Sequence, residues 1–193
     1  MAKIILASGS PRRRHLLEQV GIPCEIMESG ADETASGPPQ KQAEALAIRK
    51  AKAVQARVKG DAVIIAADTL VVIDELILGK PRDAAEAFHM LKTLQGRKHT
   101  VITGVALIKK SGPKLQSQSF VETAAVYFRP LTDNEINGYI TTGEPFDKAG
   151  AYGIQGVGAL LVERIEGDFY TVVGLPLSRL YTSLVDLGVW GMY

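Results

Sequence analysis

The sequence predicts an α/β protein in which helices flank a large, twisted, mixed β-sheet. Three observations point there. Helical and strand patterns alternate along the chain, with no internal repeat, low-complexity segment or domain linker. The run Ala62-Val63-Ile64-Ile65-Ala66-Ala67 is apolar at every position, as suits a strand covered on both faces. At 193 residues, 46% apolar and 22% charged, the chain can bury a full core as one domain, with room for two lobes around a cleft.

Lys3-Ile4-Ile5-Leu6-Ala7 reads as a short strand, and Ser8-Gly9-Ser10-Pro11-Arg12-Arg13-Arg14 turns from it into a helix. Ser10 suits the cap, Pro11 the first turn, and Leu16, Leu17 and Val20 form an apolar side before Gly21. Cys24-Glu25-Ile26-Met27 reads as a second short strand running into an irregular acidic loop over 30–39. An alanine-rich helix is expected over 42–58, and a hairpin over 70–73 and 76–78 around Asp74-Glu75. Asp83 with Glu86 resembles a capping box for a helix bearing Ala84, Ala87, Phe88 and Leu91, which Gly96 stops. Strands over 100–109 and 117–128 join through Ser111-Gly112-Pro113. Thr132 with Glu135 has capping-box spacing ahead of Ile136, Tyr139 and Ile140. Residues 160–165 and 169–173 are expected to pair as strands across Glu166-Gly167-Asp168. Leu177, Leu180, Tyr181, Leu184 and Leu187 stripe a last helix.

Composition excludes several classes of function. A net charge of +1 leaves no basic field for a long nucleic acid. Ser-Pro-Arg-Arg also occurs as a minor-groove element, but a single copy on a near-neutral chain argues against DNA. One cysteine, Cys24, excludes a disulfide within the chain and a cysteine-based zinc cluster. His15, His89 and His99 are far apart and make no metal spacing. No apolar run reaches the roughly 18 residues a membrane helix needs. The opening apolar stretch is short and its arginines follow rather than precede it, unlike a signal peptide, so a cytoplasmic location is expected.

A helix start exposes unpaired N–H groups and the positive end of the dipole, and Arg12 and Arg13 add guanidiniums that grip phosphate oxygens in pairs. The opening segment therefore reads as a landing site for a polyphosphate. Asp68-Thr69 is expected to end the buried strand, where a carboxylate is placed to hold a divalent metal or activate water; a turn-capping aspartate fits equally. Gly79-Lys80-Pro81-Arg82 suits an aimed ammonium or an ordinary solvated lysine in a turn, and lacks P-loop spacing. The segment 144–158 carries four glycines, which implies tight turns and close backbone approach to something. Its small residues, the ring of Tyr152 and the amide of Gln155 suit the wall of a base pocket, and a structural loop as well. Asp32 and Glu33 in the acidic loop, and Lys50 on the alanine-rich helix, read singly as solvated charge.

Taken in order, five segments resemble the Maf family of nucleoside triphosphate pyrophosphatases. They are Leu6-Ala7-Ser8-Gly9-Ser10-Pro11-Arg12-Arg13, Ala66-Ala67-Asp68-Thr69, Gly79-Lys80-Pro81, the run 143–156 from Gly143-Glu144-Pro145-Phe146 through Tyr152-Gly153-Ile154-Gln155-Gly156, and Val173-Gly174-Leu175-Pro176-Leu177. Each is weak alone; their order makes the signal. The resemblance runs from residue 3 to about residue 187, leaving the tail at 190–193 outside. It implies a single domain over 1–193, two-lobed and similar to the inosine triphosphatase group, with the nucleotide in a cleft between lobes. It also implies hydrolysis between the α- and β-phosphates. The form of 147–155 resembles the branch acting on dTTP and UTP, whereas a branch acting on methylated guanine nucleotides differs there. By the same resemblance Asp68 would be the catalytic acid/base, and Arg12, Thr69 and Gln155 would govern substrate choice. Ser8, Arg13, Glu33, Lys50 and Lys80 fall where the family places phosphate or metal contacts. Arg14 is left out, since a neutral or acidic residue is more usual there.

A mechanism consistent with these charges follows. Arg12, Arg13, Lys50 and Lys80 neutralise the triphosphate, and Mg²⁺ or Mn²⁺ held by Asp68 and Glu33 shares the load. Asp68 is expected to take the proton of an in-line water directly or to orient that water through the metal. The Gln155 amide matches the imide N–H and carbonyl of uracil and thymine. The expected substrates are dTTP and UTP, with modified pyrimidine nucleotides as a house-cleaning target. The competing readings are a non-catalytic nucleotide-binding regulator, in keeping with the family's older association with septum formation, and a phosphatase releasing orthophosphate. The aspartate beside a cationic pocket favours catalysis. An apolar edge leaves room for a homodimer.

Overall fold

The computed structural model describes residues 3–189, so the tail at 190–193 lies outside the described residues. In chain order the elements are β1 (Lys3–Leu6), α1 (Pro11–Gln19), β2 (Glu25–Ile26), α2 (Pro39–Gln55), β3 (Ala62–Ile73), β4 (Leu76–Leu78), α3 (Ala84–Leu94), β5 (Lys98–Ser111), β6 (Lys114–Phe128), α4 (Asp133–Thr141), β7 (Val162–Glu166), α5 (Phe169–Val173) and α6 (Leu177–Asp186). The strands form one seven-stranded sheet in the order β2-β1-β3-β5-β6-β7, with β4 attached to β3. Parallel pairing of β1 with β2 and β3, and antiparallel pairing of β3 with β4 and β6 with β7, make it mixed, as the sequence predicts.

The chain divides into two compact units. One holds the chain up to Asp68, Thr103–Glu122 and everything from Gly174 on; the other holds Thr69–Ile102 and Thr123–Val173. In the first, the chain leaves β1 through α1 to reach β2 on one side, then through α2 to reach β3 on the other. Such a reversal opens a crevice at the carboxyl ends of the strands, where ligands bind in open α/β sheets.

Alternate residues of a strand share a face. Ala62, Ile64 and Ala66 of β3 pack with Ile5 and Ala7, with Ala106 and Ile108 of β5, and against Ala47, Ala51 and Val54 of α2. Val63, Ile65 and Ala67 are fully buried too, so the strand is covered on both faces as expected. Small residues let α2 lie close to the sheet. At Gly104 of β5, any Cβ would collide with the carbonyl of Ala43. At the other end of the chain, α6 buries Leu177, Leu180 and Leu184. Arg179 anchors it, donating to the Val121 carbonyl at 3.0 Å and to Glu122 at 2.6 Å with its guanidinium over the Phe120 ring.

The second unit has its own core, in which Val71, Ile73 and Leu78 of the β3–β4 hairpin meet Leu91 and Leu94 of α3, Phe128 of β6, and Ile136 and Tyr139 of α4. The hairpin turns at Asp74 and Glu75, both left-handed (φ 48° and 66°), the geometry that matches strand twist. Thr132 and Glu135 close a full capping box on α4. Only half of the box expected on α3 forms. Asp83 accepts from the Glu86 N–H at 2.8 Å, but the Glu86 carboxylate turns to the backbone and guanidinium of Arg82.

Three expectations are corrected. The strand that begins at Ala62 does not end at Asp68-Thr69; Thr69, Leu70 and the β-branched Val71-Val72-Ile73 carry the pleat on to residue 73 as one strand. Residues 169–173 form α5 rather than a strand, because Asp168 accepts from both the N–H (2.7 Å) and the hydroxyl (2.8 Å) of Thr171, a helix cap that overrides β propensity. β7 pairs with β6 instead. Finally, Ser10 sits at the α1 cap position but its side chain makes no cap bond.

Candidate active site

Asp68 continues the face of β3 set by Ala62, Ile64 and Ala66, the face packed on α2. It lies past Ile65, the last residue of β3 that pairs with β1, so it stands at the carboxyl end of the parallel strands. On α2 the buried side runs through Ala43, Leu46, Ala47, Lys50, Ala51 and Val54. The two faces meet at the polar members of each set: Lys50 Nζ donates to Asp68 Oδ1 at 2.6 Å, and each residue is only 8% exposed.

The same ammonium pairs with Glu33 Oε1 at 2.6 Å. Glu33 belongs to the irregular loop after β2, which two arginines of α2 and the residues after it strap down. Arg49 donates to the carbonyls of Asp32 (2.8 Å) and Thr34 (2.7 Å), the residues on either side of Glu33. Arg57 donates to the carbonyls of Glu28 and Ser29. Neither arginine carries a signal in the sequence, because a strap between a loop and a helix depends on where the loop lands.

The turn after β1 supplies the rest. Ser8 Oγ accepts from the Ser10 N–H at 3.2 Å and from Arg13 Nη1 at 3.1 Å, so Ser8 does the local bracing expected of Ser10. Arg13 Nε donates to the Gly174 carbonyl at 2.8 Å, which ties α1 to the Val173-Gly174-Leu175 segment. Burial pulls the Arg13 guanidinium below the usual arginine range; Asp68 pushes it back up, Arg12 adds to the lowering, and Glu33 raises it. Arg12, Arg13, Glu33, Asp68 and, through its contacts, Lys50 therefore act within one electrostatic neighbourhood. Arg14 is not part of it: it pairs with Glu18 on the exposed side of α1.

No group of three or more His, Cys, Asp or Glu side chains that could hold a metal ion occurs among the described residues. Asp68 and Glu33 offer two carboxylates around one ammonium. Two hard oxygen donors fit Mg²⁺ or Mn²⁺, ions that complete their shells with substrate phosphates and water.

Thr69, Lys80 and Gln155 belong to the second unit. Thr69 follows Asp68 along β3 and is half-buried. Lys80 is exposed in the turn after β4, which is tied to the 144–158 segment by the Gly150 N–H on the Gly79 carbonyl at 3.0 Å. Gln155 is exposed ahead of the 3₁₀ turn Gly156–Leu161. The four glycines of 144–158 are explained by close approach to the protein's own groups. A Cβ at Gly150 would meet Val71 at 2.9 Å, one at Gly153 the Lys148 side chain at 2.7 Å, and one at Gly156 the Glu144 carboxylate at 2.7 Å; one at Gly158 would strike the Gly153 carbonyl. Glu144, which the sequence shows only as part of the matched run, is thus central to this segment.

Comparison with known proteins agrees with the motifs. The profile of the family described as Maf-like protein matches residues 3–187. A dTTP/UTP pyrophosphatase of Thermoanaerobacter sp. (strain X514) is 51% identical over 183 residues, covering 94% of this chain and 95% of that protein. One from Carboxydothermus hydrogenoformans is 52% identical over 187 residues, covering 96% and 99%. Among solved structures, the Staphylococcus aureus Ham1 protein is 16% identical with a TM-score of 0.46, covering 81% of this chain and 77% of that one. With the family profile spanning nearly its whole length and half of its residues shared with such relatives, this chain belongs to the Maf-like protein family.

Proposed function

We propose that the chain hydrolyses nucleoside triphosphates between the α- and β-phosphates, releasing pyrophosphate and a nucleoside monophosphate, with dTTP and UTP as its substrates. Relatives that are half identical over nearly the full length are named dTTP/UTP pyrophosphatase. The observation that carries the reading is the Lys50–Asp68 contact at 2.6 Å, a buried carboxylate among cations at the carboxyl ends of parallel strands.

In this reading Arg12, Arg13, Lys50, Lys80 and Ser8 bind the triphosphate, with the N–H groups at the start of α1. Lys50 then has phosphate oxygens as an alternative partner to its two carboxylates. Asp68, released from part of that ion pair, accepts the proton of the attacking water. Asp68 and Glu33 are the residues that would hold a divalent cation, whose contribution is charge neutralisation on the phosphates. Arg12, Thr69 and Gln155 govern substrate choice, the Gln155 amide offering an acceptor and a donor to the imide edge of uracil or thymine. The proposed range extends to modified pyrimidine nucleotides, and the proposed location is the cytoplasm; no helix among the described residues is long and apolar enough to cross a membrane.

The test is a product-resolved assay. The protein is incubated with dTTP or UTP and Mg²⁺, and products are separated by ion exchange. Many turnovers to dTMP or UMP with pyrophosphate are expected. Orthophosphate and a diphosphate would mean a phosphatase, and binding without turnover a regulator.

A further inference from the structure

The turn that presents Gln155 is held on both sides, by a carboxylate and by a phenol. Glu144 Oε1 accepts from the Val157 N–H at 3.0 Å and Oε2 from the Gly158 N–H at 3.2 Å. On the other side of Gln155, the Tyr139 hydroxyl accepts from the Gly153 N–H at 3.1 Å. Backbone groups on both sides of Gln155 are therefore tied down: Gly153 by Tyr139, Val157 and Gly158 by Glu144. Gln155 itself, between these anchors, is exposed.

Each part of the clamp has a physical reason. Tyr139 sits in the apolar side of α4, 3% exposed, so its phenol reaches the loop from a rigid helix. Glu144 follows the left-handed Gly143 (φ 78°), which turns the chain at the end of that helix. Gly156, also left-handed at φ 66°, leaves the space that the carboxylate fills. Burial raises the Glu144 carboxyl, but hydrogen bonds from the Val157 and Gly158 N–H groups, the charge of Lys148 and the nearby Tyr139 hydroxyl together hold it below its usual range. A carboxylate with several donors is a strong and directional clamp.

We propose that Glu144 sets base selectivity without touching the base, by fixing the 153–158 turn from which Gln155 projects, with Tyr139 holding Gly153 on the other side of Gln155. Glu144 and Tyr139 are positioning residues. The proposal rests on the reading above in which Gln155 reads the imide edge of a pyrimidine. A side-chain amide discriminates an imide from an amino-pyrimidine edge only when its donor and acceptor are held in register, and register is what the clamp supplies.

The test compares kcat/KM for dTTP and dCTP in the parent, Glu144→Gln, Tyr139→Phe, Gln155→Ala and the Glu144→Gln/Gln155→Ala double variant. Glutamine keeps the size of Glu144 but sets an NH₂ donor against one N–H. The dTTP:dCTP ratio should fall about tenfold in Glu144→Gln, the worth of one charge-assisted hydrogen bond. The fall should come through KM for dTTP, with kcat on dCTP unchanged. Tyr139→Phe should show a smaller fall in the same direction. In the double variant Glu144→Gln should add nothing to the loss caused by Gln155→Ala, because the two act through one contact. Amide exchange at Val157 and Gly158 should speed up in Glu144→Gln.

Equal losses on both nucleotides, or a parental ratio in Glu144→Gln alongside a reduced one in Gln155→Ala, overturn the clamp alone. A parental ratio in Gln155→Ala, or a parent that does not prefer dTTP, overturns the reading of Gln155 and the clamp with it. If Glu144→Gln does not fold, Tyr139→Phe decides, and a parental ratio there refutes the proposal.

Discussion

Lys50 Nζ lies 2.6 Å from Asp68 Oδ1, with both residues 8% exposed. An interior carboxylate left alone would be costly, and the ammonium offsets that cost only because helix and strand hold the two in direct contact. The pair also explains an alanine-rich α2. Bulkier residues than Ala43, Ala47 and Ala51 would lift the helix off the sheet and part the ions.

If Asp68 is the general base, Asp68→Asn should lower turnover by roughly 10²–10⁴-fold. Nucleotide binding at saturating Mg²⁺ should largely survive. Rapid-quench turnover together with calorimetric binding checks both, and near-parental turnover would remove Asp68 from the mechanism.

Lys50→Met leaves Asp68 and Glu33 without the ammonium between them. The folded state should lose about 3 kcal/mol, the usual scale for stripping one partner from a buried pair. Millimolar Mg²⁺ should restore part of that loss, since a divalent cation can take the ammonium's place. Urea unfolding with and without Mg²⁺ measures it; an unchanged midpoint contradicts the account.

Two glycine-to-alanine changes should act in opposite directions. Gly104→Ala forces a methyl into the Ala43 backbone, and overpacking of this kind costs about 3 kcal/mol. Turnover should fall too, because α2 carries Lys50. Gly138→Ala, inside α4 with nothing within 4 Å of the new Cβ, should stabilise by about 0.5–1 kcal/mol. Thermal melts of the two variants decide the matter.

Gln155→Glu replaces the donor half of the amide. Leaving a carbonyl of the base unpaired costs about 1–3 kcal/mol, so selectivity for dTTP and UTP over dCTP should shrink correspondingly. Relative kcat/KM across a nucleotide panel is the measurement, and an unchanged order would rule Gln155 out.

His99 predicts a pH dependence of stability. It is 2% exposed in the second unit's core, with Nε2 2.7 Å from the Tyr152 hydroxyl, and burial lowers its pKa from 6.5 to about 4. Between those values the unfolded chain binds a proton that the folded chain refuses, so stability rises with pH. The contribution is complete above about pH 6.5 and is lost as pH falls toward 4, reaching about 3 kcal/mol. His99→Gln should flatten the dependence of the urea midpoint between pH 7 and 5; a parental slope in that variant would refute it.

Much of the fold is legible along the chain. Ala62 to Ala67 marks a buried strand, Thr132 and Glu135 a closed cap, and Asp74-Glu75 a hairpin turn, because each depends on neighbours within a few residues. The segment at 169–173 departs from the strand expectation for a local reason: the Asp168 cap competes with the β preference of five residues, Phe169 to Val173, and prevails. Gly104 was legible in principle, as a lone glycine within a strand pattern, the mark of a close backbone approach.

The site divides the same way. The order of motifs by itself determined the family, the cationic turn after β1 and Asp68 as the acid to consider. Only the tertiary structure decided that Asp68 lies within a continuous strand, that Lys50 is its partner, that Arg49 holds the loop bearing Glu33, and that Glu144 grips the Gln155 turn. Periodicity tells which face of one element a residue occupies, but Lys50, which singly reads as solvated charge, is 8% exposed because its side of α2 packs over Asp68 of β3. Which faces then meet depends on how elements far apart in the chain pack, and no single segment encodes that.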